Sequence, residues 1–162
     1  MKQLILIRHA KSDWSHGLPD HDRPLNSRGR RAAPAIGDWL REKGFLPDDI
    51  LCSTATRTRE TLALLGAKAP VRFEPALYHA APETMLEILK TAAGNSVMML
   101  GHNPGIAALA EDLLETPPDH PRFAAYPTCA TLVARFDIDD WRRLQLGTGT
   151  AEAFIVPRDL TD

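Results

Sequence analysis

The stretch Gln3-Leu-Ile-Leu-Ile-Arg-His9 decides the fold class of this chain. Its apolar run is too short for a membrane span or for the core of a signal peptide, but it suits a β-strand buried on both faces. The run ends at Arg8, and residues 11–26, which are polar and rich in Asp, His, Gly and Pro, predict a loop. We therefore expect a central strand whose carboxyl end carries an arginine and a histidine.

Beyond this strand, short apolar runs alternate with segments of helical periodicity. The predicted helices cover residues 26 or 27 to 44, residues 56–65, residues 82–94 and a segment that Asn103 caps and Pro104 begins. The further strands are predicted at 49–53, 71–73, 97–100, 128–136 and near 144–146, with a short edge at 154–156. The alternation predicts an α/β fold, a three-layer α/β/α sandwich with a mostly parallel central sheet.

The length of the chain and its ordinary globular composition, 44% hydrophobic and 25% charged, predict a single domain over residues 1–162. Residues 116–127 contain four prolines and are interpreted as an irregular surface connection within that domain. Pro34 is expected to kink or interrupt the first long helix. Cys52 and Cys129 lie in apolar runs without paired spacing, so we expect buried free thiols and no disulfide.

The charge balance excludes some classes of partner. Nineteen basic residues against twenty-one acidic ones give a net charge of −2, which provides no long-range attraction to nucleic acid or to an anionic membrane. We therefore expect no nucleic-acid or membrane partners. The short first apolar run predicts a cytoplasmic protein, and we expect a monomer. The tryptophans Trp14, Trp39 and Trp141 are expected to pack within the protein and not to stack on bases.

The polar residues that follow three predicted strands point to an anion site. Arg8 and His9 follow the first strand, Arg57 lies just after the second, and His102 follows the strand at 97–100. In parallel sheets ligands bind at the carboxyl ends of the strands, so these side chains are expected to meet. Guanidinium groups match phosphate oxygens, and a neutral imidazole is a nucleophile that needs no metal ion. Phosphoryl chemistry on a histidine is the interpretation that fits this set.

The same residues lie in motifs that resemble those of a known family. Leu6-Ile-Arg-His-Ala-Lys-Ser12 resembles the Arg-His signature of the histidine phosphatase superfamily, which also contains the phosphoglycerate mutases. Ser53-x-x-x-Arg57-x-x-x-Thr61 is similar to its second-arginine motif, and Gly101-His-Asn-Pro-Gly105 to the block with its second histidine. Together with Asp22-Arg-Pro-Leu25, these motifs are most similar to the small phosphohistidine phosphatase (SixA-like) branch, and the likeness covers nearly the whole chain.

The resemblance implies a phosphoglycerate mutase-like fold and a role for each matching residue. It implies His9 as the nucleophile, Arg8 and Arg57 as phosphate ligands, and His102 as a further donor to the phosphoryl oxygens. We add Asn103, next to His102, to the predicted substrate-binding set. No cofactor and no metal ion are implied.

The chain departs from the family pattern at the general acid. Mutase-like members carry a catalytic glutamate after the third strand, where this chain has Leu-Tyr-His-Ala-Ala at 77–81. Five residues remain as alternatives that the sequence does not rank: Asp20, Asp22, Glu74, His79 and Glu83. An imidazole leaving group needs a proton donor less than an alkoxide does, so the departure favours a phosphohistidine substrate.

Three functions therefore remain open, in order of preference. The first is a metal-independent phosphatase that removes phosphate from phosphohistidine in a protein through a phosphorylated His9. The second is hydrolysis of a small phosphate ester by the same residues. The third is a non-catalytic module that binds phosphorylated proteins. The short chain leaves little length for a lid, so we expect a shallow, open pocket.

Overall fold

The computed structural model describes residues 1–161, which form one six-stranded sheet and four α-helices. The strands are β1 (Lys2–Arg8), β2 (Asp49–Ser53), β3 (Val71–Glu74), β4 (Ser96–Gly101), β5 (Thr131–Phe136) and β6 (Thr150–Ile155). The α-helices are α1 (Ser27–Lys43), α2 (Thr56–Leu65), α3 (Pro82–Leu89) and α4 (Gly105–Leu113). Short 3₁₀ helices cover Asp20–Asp22, Pro75–Leu77, Trp141–Arg143 and Pro157–Leu160.

The strand order is β3-β2-β4-β1-β5-β6. The four strands from β3 to β1 are parallel to one another, and β5 and β6 extend the sheet in antiparallel fashion. This arrangement confirms the predicted α/β class with a mostly parallel sheet. Because β1, β2 and β4 run in one direction, their carboxyl ends all lie at the same edge of the sheet.

The apolar run of β1 packs against both helical layers. Leu4 and Leu6 belong to the core cluster that contains the buried faces of α3 and α4, whereas Ile5 and Ile7 belong to the cluster that contains those of α1 and α2. Successive side chains of a strand point to opposite faces, so an uninterrupted apolar run is what a doubly covered strand requires. Cys52 and Cys129 are buried and free, as predicted.

Helix α1 has the predicted ends. The Asn26 side chain accepts a hydrogen bond from the backbone N–H of Gly29 at 2.9 Å, which satisfies a donor of the first turn. Gly44 ends the helix in the left-handed conformation, with φ of 76°. Pro34 lies inside the helix, which continues through it, so the predicted interruption is wrong. No helix within residues 1–161 is both long enough and apolar enough to cross a membrane.

Helix α3 ends earlier than the sequence predicted. It stops at Leu89, and Lys90 caps it, whereas the glycine pattern predicted an end at Gly94. The backbone N–H of Thr91 donates to the Ile88 carbonyl, a contact three residues back that tightens the last turn. The Thr91 hydroxyl donates to the same carbonyl, so the helical ladder stops there.

Of the two strands predicted near the C-terminus, the one near 144–146 is wrong, and the short edge at 154–156 overlaps β6, the edge strand of the sheet. Residues 144–146 follow the 3₁₀ helix Trp141–Arg143 and are not a strand, whereas β6 covers Thr150–Ile155. The backbone N–H groups of Gly147 and Gly149 donate to carbonyls at the end of α4, at 2.8 Å each. Their hydrogen bonds therefore hold this segment against a helix, and the sheet pairing begins only afterwards.

Helix α4 begins one residue later than the sequence predicted. Its first residue is Gly105, with Pro104 at the N-cap position, whereas the sequence predicted Asn103 as cap and Pro104 as first residue. The Asn103 side-chain oxygen still accepts a hydrogen bond from the backbone N–H of Ala107 at 3.2 Å. Asn103 therefore stabilises the first turn of α4 from outside it.

A glycine lets α1 and α2 approach closely, and α2 carries Arg57. A methyl group on Gly37 would lie 2.1 Å from the backbone carbonyl oxygen of Leu65, which cannot move without displacing the helix. We expect Gly37→Ala to lower the free energy of unfolding by about 1–3 kcal/mol, although alanine is the better helix former. Urea denaturation measures this change.

The exposed Glu42 of the same helix provides the control. Glu42→Ala is expected to change the free energy of unfolding by less than about 0.5 kcal/mol. A Gly37→Ala protein as stable as the wild type would show that the two helices do not need this close approach.

Candidate active site

The carboxyl ends of β1, β2 and β4 open into a cleft of about 340 Å³. All five predicted site residues line it: Arg8, His9, Arg57, His102 and Asn103. The imidazole centroids of His9 and His102 lie 5.3 Å apart. The structure therefore brings together residues that are up to 95 positions apart in the sequence, and each follows the strand from which it was predicted.

The ring of His9 is held in one tautomer. Its Nδ1 lies 2.7 Å from the carbonyl oxygen of Ala10, which can only accept a hydrogen bond, so Nδ1 carries the hydrogen and Nε2 keeps a lone pair. Burial, with smaller contributions from the nearby Arg8 and Arg57 charges, lowers the pKa of His9 to about 3 against the opposing effect of the Ala10 hydrogen bond. His9 is therefore neutral at pH 7.

His102 is oriented by Ser53. The Ser53 hydroxyl lies 2.7 Å from Nε2 of His102 and also accepts a hydrogen bond from the backbone N–H of Ala55. The Ser53 hydroxyl hydrogen has no other acceptor among the described residues, so it is assigned to Nε2 of His102, which places the His102 hydrogen on Nδ1. Burial is the largest of the effects that lower the pKa of His102 to about 2, and His9 and Arg57 contribute the next largest. Neutral His102 thus keeps one N–H donor.

Three buried donor atoms have no partner. Within residues 1–161, the buried side-chain nitrogen and oxygen atoms without a hydrogen bond are Nε of Arg8, Nε of Arg57 and Nδ1 of His102. An unsatisfied buried donor costs about 1–3 kcal/mol, so proteins rarely leave one without a reason. All three belong to residues that line the cleft, and together they fit an anion with several acceptor oxygens.

The spacing of Ser53, Arg57 and Thr61 has a structural cause. Ser53 ends β2 and orients His102, whereas Arg57 and Thr61 lie one turn apart on the same face of α2. The Thr61 hydroxyl donates to the Arg57 carbonyl at 2.7 Å and accepts from the backbone N–H of Ala10 at 2.9 Å. The motif therefore joins α2 to the segment that follows the nucleophile candidate.

Asp20 holds Arg57 in place. Nη1 of Arg57 donates to the Asp20 carbonyl at 2.7 Å and Nη2 to its carboxylate at 3.0 Å. Arg23 donates to the same carboxylate at 3.1 Å, and so does the Tyr78 hydroxyl. Burial alone would raise the pKa of Asp20, but the hydrogen bonds from Tyr78 and Arg57 outweigh it and hold that pKa well below its usual value. Asp20 is therefore an anion in the free protein.

The structure separates the five candidates for the general acid. Asp20 and His79 line the cleft, whereas Asp22, Glu74 and Glu83 are not among its lining residues. Glu74 pairs with Arg72 at 2.9 Å. Nε2 of His79 lies 3.3 Å from both the Asp20 carboxylate and Nη2 of Arg57, and its half-exposed ring stacks on Tyr78 at a centroid distance of 4.1 Å.

Asn103 has protein partners for its amide group. Its nitrogen donates to the carbonyls of Ala125 and Tyr126 at 3.0 and 3.2 Å. Arg8 donates to the same Tyr126 carbonyl at 3.2 Å. The sequence predicted a direct contact from Asn103 to the substrate phosphate. Such a contact from the side-chain nitrogen would require one of these two hydrogen bonds to break.

Two neighbours of the site carried no role in the sequence interpretation. Arg23 is buried, lines the cleft and donates a hydrogen bond to the Ser12 hydroxyl at 2.7 Å. The sequence showed Arg23 only as part of the motif Asp22-Arg-Pro-Leu25 and did not place it at the site. Trp14 was expected to pack in the interior, but it is 75% exposed, so that prediction is wrong. Its ring covers the Arg23 guanidinium at 3.4 Å on the rim of the cleft. Trp141 is buried, as predicted.

Comparison with known proteins identifies similar chains and folds. Residues 4–81 match the family model of the histidine phosphatase superfamily (branch 1). An uncharacterized protein of Mycobacterium tuberculosis is 39% identical over 159 residues, which cover 94% of this chain and all of the relative.

Two solved structures share both fold and sequence with this chain. A proposed phosphohistidine phosphatase SixA from Nakamurella multipartitia is 31% identical, covers 96% of each chain and has a TM-score of 0.84. A second proposed SixA, from Agrobacterium tumefaciens, is 30% identical over 96% of this chain and 99% of its own, with a TM-score of 0.77. The likeness spans nearly the whole length, as the resemblance of the motifs predicted.

The low pKa of His9 has a measurable effect on stability. Because the pKa falls from 6.5 to about 3 on folding, the unfolded chain binds a proton below pH 6.5 that the folded chain excludes. Lowering the pH from 7 to 5 should therefore remove about 2 kcal/mol of stability through His9 alone. Urea denaturation at both pH values should show a smaller loss for His9→Asn than for the wild type, by about that amount. An equal loss in both proteins would contradict a buried neutral His9.

Proposed function

The chain belongs to the histidine phosphatase superfamily, in its SixA-like branch, and is a phosphatase; from this premise we propose that it removes the phosphoryl group from phosphohistidine in a protein, through a phosphorylated His9. One observation carries this proposal. Three buried donors without partners belong to Arg8, Arg57 and His102, and these residues line the same cleft as a neutral His9. An anion with tetrahedral oxygens would supply the missing partners and would lie next to the free lone pair.

The first step transfers the phosphoryl group to the protein. Nε2 of His9 forms a bond to phosphorus while the bond between phosphorus and the leaving nitrogen breaks. The leaving imidazole keeps the electron pair and takes up a proton from solvent water. Arg8, Arg57 and His102 donate to the equatorial oxygens, where negative charge is concentrated. Hydrogen bonds to Asp20 and to the Tyr126 carbonyl hold Arg57 and Arg8 at the cleft before the reaction, and the phosphoryl group competes with Asp20 for Arg57.

The second step regenerates the nucleophile. Water attacks phosphorus, the bond to Nε2 of His9 breaks, and inorganic phosphate leaves with the water oxygen. The hydrogen bond from Nδ1 to Ala10 keeps the ring in one orientation through both steps. The bond-making groups of the two steps are thus Nε2 of His9 and a water molecule, and no metal ion takes part in a step.

The charge state of the cleft supports phosphohistidine as the substrate. Asp20 is held as an anion by Arg57 and Tyr78, so it is not a proton donor in the free protein. A phosphate ester with a poor leaving group needs such a donor, whereas an imidazole leaves more readily.

Hydrolysis of small phosphate esters is the second candidate function. One specific observation favours it: the His79 imidazole lines the cleft within 3.3 Å of Arg57 and Asp20, where it can donate a proton to a leaving oxygen. A non-catalytic binding module fits less well, because a phosphate-binding pocket needs no neutral imidazole with a free lone pair.

Removal of the nucleophile tests the proposal directly. We expect His9→Ala to lower metal-free phosphate release from a phosphohistidine-bearing phosphocarrier protein by at least about a thousandfold. The wild type should act on this protein in the presence of a chelator, and only weakly on para-nitrophenyl phosphate. His16→Ala, which removes an exposed histidine outside the cleft, is the matched control and should keep full activity.

Other outcomes would replace the proposal. Strong hydrolysis of para-nitrophenyl phosphate, without release from the phosphocarrier protein, would assign the protein to small esters. Binding of the phosphoprotein without release of phosphate, in the wild type, would assign it to the non-catalytic class.

The role of His79 has its own test. As a proton donor, it matters more for a poor leaving group, so we expect His79→Gln to lower the hydrolysis of phenyl phosphate by about a hundredfold. Hydrolysis of para-nitrophenyl phosphate should fall less, and release from phosphohistidine least. A loss of equal size on all three substrates would mean that His79 positions Arg57 and does not donate a proton.

A further inference from the structure

A second groove adjoins the catalytic cleft. It has a volume of about 440 Å³, and Lys11 and Thr128 line both it and the cleft. A ligand that occupies the cleft can therefore extend into the groove without leaving the protein surface. None of the residues that line only this groove has a role in the catalytic cleft.

The groove is strongly basic. Four of its lining residues, Lys11, Arg28, Arg31 and Arg158, carry positive charge, and no acidic residue lines it within the part of the chain that the structure describes. All four side chains are exposed, and none forms an ion pair with another described residue. Because the chain as a whole has a net charge of −2, this concentration of positive charge is local.

Backbone contacts fix the groove to the cleft. The N–H of Asn26, which caps α1, donates to the Lys11 carbonyl at 3.0 Å. Gly29, in the first turn of α1, lies so close to this carbonyl that a methyl group there would approach it to 2.2 Å. The segment after β1 and the helix that bears Arg28 and Arg31 are therefore held in one arrangement.

We propose that this groove binds an acidic segment of the phosphorylated protein whose phosphohistidine enters the cleft. The inference rests on the proposed function and adds the feature by which the partner is recognised. Carboxylates on the partner would pair with Arg28, Arg31 and Arg158 while the phosphoryl group reaches Arg8 and Arg57. Ala32, Ala35 and Pro157 line the groove as well and supply apolar surface for the stems of the partner's side chains.

The exposure of the four charges favours a protein partner over a second phosphate of a small molecule. A small anion is held tightly by buried donors of fixed geometry, which the cleft has and the groove lacks. Exposed arginines and lysines instead attract an oppositely charged surface over a distance and raise the rate of encounter. The effect adds up over several carboxylates and weakens with salt.

Two synthetic phosphohistidine peptides test this inference. They differ only at the residues around the phosphohistidine, which are glutamate in one peptide and glutamine in the other. We expect the wild type to prefer the glutamate peptide by about tenfold in kcat/KM at low salt, and to lose most of this preference at high salt. The kcat should be similar for both peptides.

Charge reversal locates the effect. Arg28→Glu combined with Arg31→Glu should abolish or invert the preference and leave hydrolysis of para-nitrophenyl phosphate unchanged. Glutamate is well tolerated near the start of a helix, so the variant is expected to fold. The control is Lys68→Glu combined with Arg143→Glu, which changes the net charge equally at exposed positions that line neither the cleft nor the groove. This control should keep the preference.

The possible failures are distinguishable. If the wild type hydrolyses both peptides equally, or if the Arg28 and Arg31 variant keeps the preference, the docking inference is overturned while the proposed function stands. If the reversal instead impairs only a sugar bisphosphate, the groove binds a second phosphate and the inference is again overturned. If neither peptide is hydrolysed while para-nitrophenyl phosphate is, the proposed function fails and the inference with it.

Discussion

The parallel pairing of β1 with β4, and of β4 with β2, is the constraint on which the site depends. The register places Arg8 opposite Gly101, so the residues that follow, His9 and His102, emerge side by side at one edge of the sheet. Antiparallel pairing would send them to opposite edges. Parallel strands need covering helices between them, and those same helices bring Arg57 to the edge. The fold and the cleft are therefore consequences of one arrangement of strands.

Electrostatics then decides the protonation state of that cleft. Two guanidinium groups next to two buried imidazoles oppose protonation of the rings, and burial opposes it more strongly still. The result is a positively charged pocket that contains neutral imidazoles. An exposed histidine near arginines would keep a higher pKa, because burial would not oppose its protonation. Asp20 balances part of the charge of Arg57 and Arg23. A phosphate that enters the cleft would compete with Asp20 for the Arg57 guanidinium.

Local sequence patterns predicted the parts of this protein that depend on local physics. The apolar run of β1, the Asn26 cap and the Gly44 end of α1 are each determined by residues close in the sequence, and the motifs around His9 and His102 follow from strand ends. The start of β6 was not predictable in this way, because the segment before it forms hydrogen bonds with the end of α4 instead of a strand at 144–146. The exposure of Trp14 was missed for a similar reason. Its ring packs on the Arg23 guanidinium at the rim of the cleft, and the sequence does not show that an aromatic residue has such a partner at the surface.

The cleft and the neighbouring groove differ in how their charged groups are exposed to solvent: those of the cleft are mostly buried, and those of the groove are exposed. In the cleft, donors are desolvated, and in the mechanism we propose they discriminate by geometry and stabilise the charge that develops at phosphorus. In the groove, the charges stay hydrated on long side chains, so each contributes little alone but together they favour one sign of partner. Lys11 lies at the junction of both. In the function we propose, the charged groove beside the cleft selects a protein partner by its surface charge and does not need to enclose it.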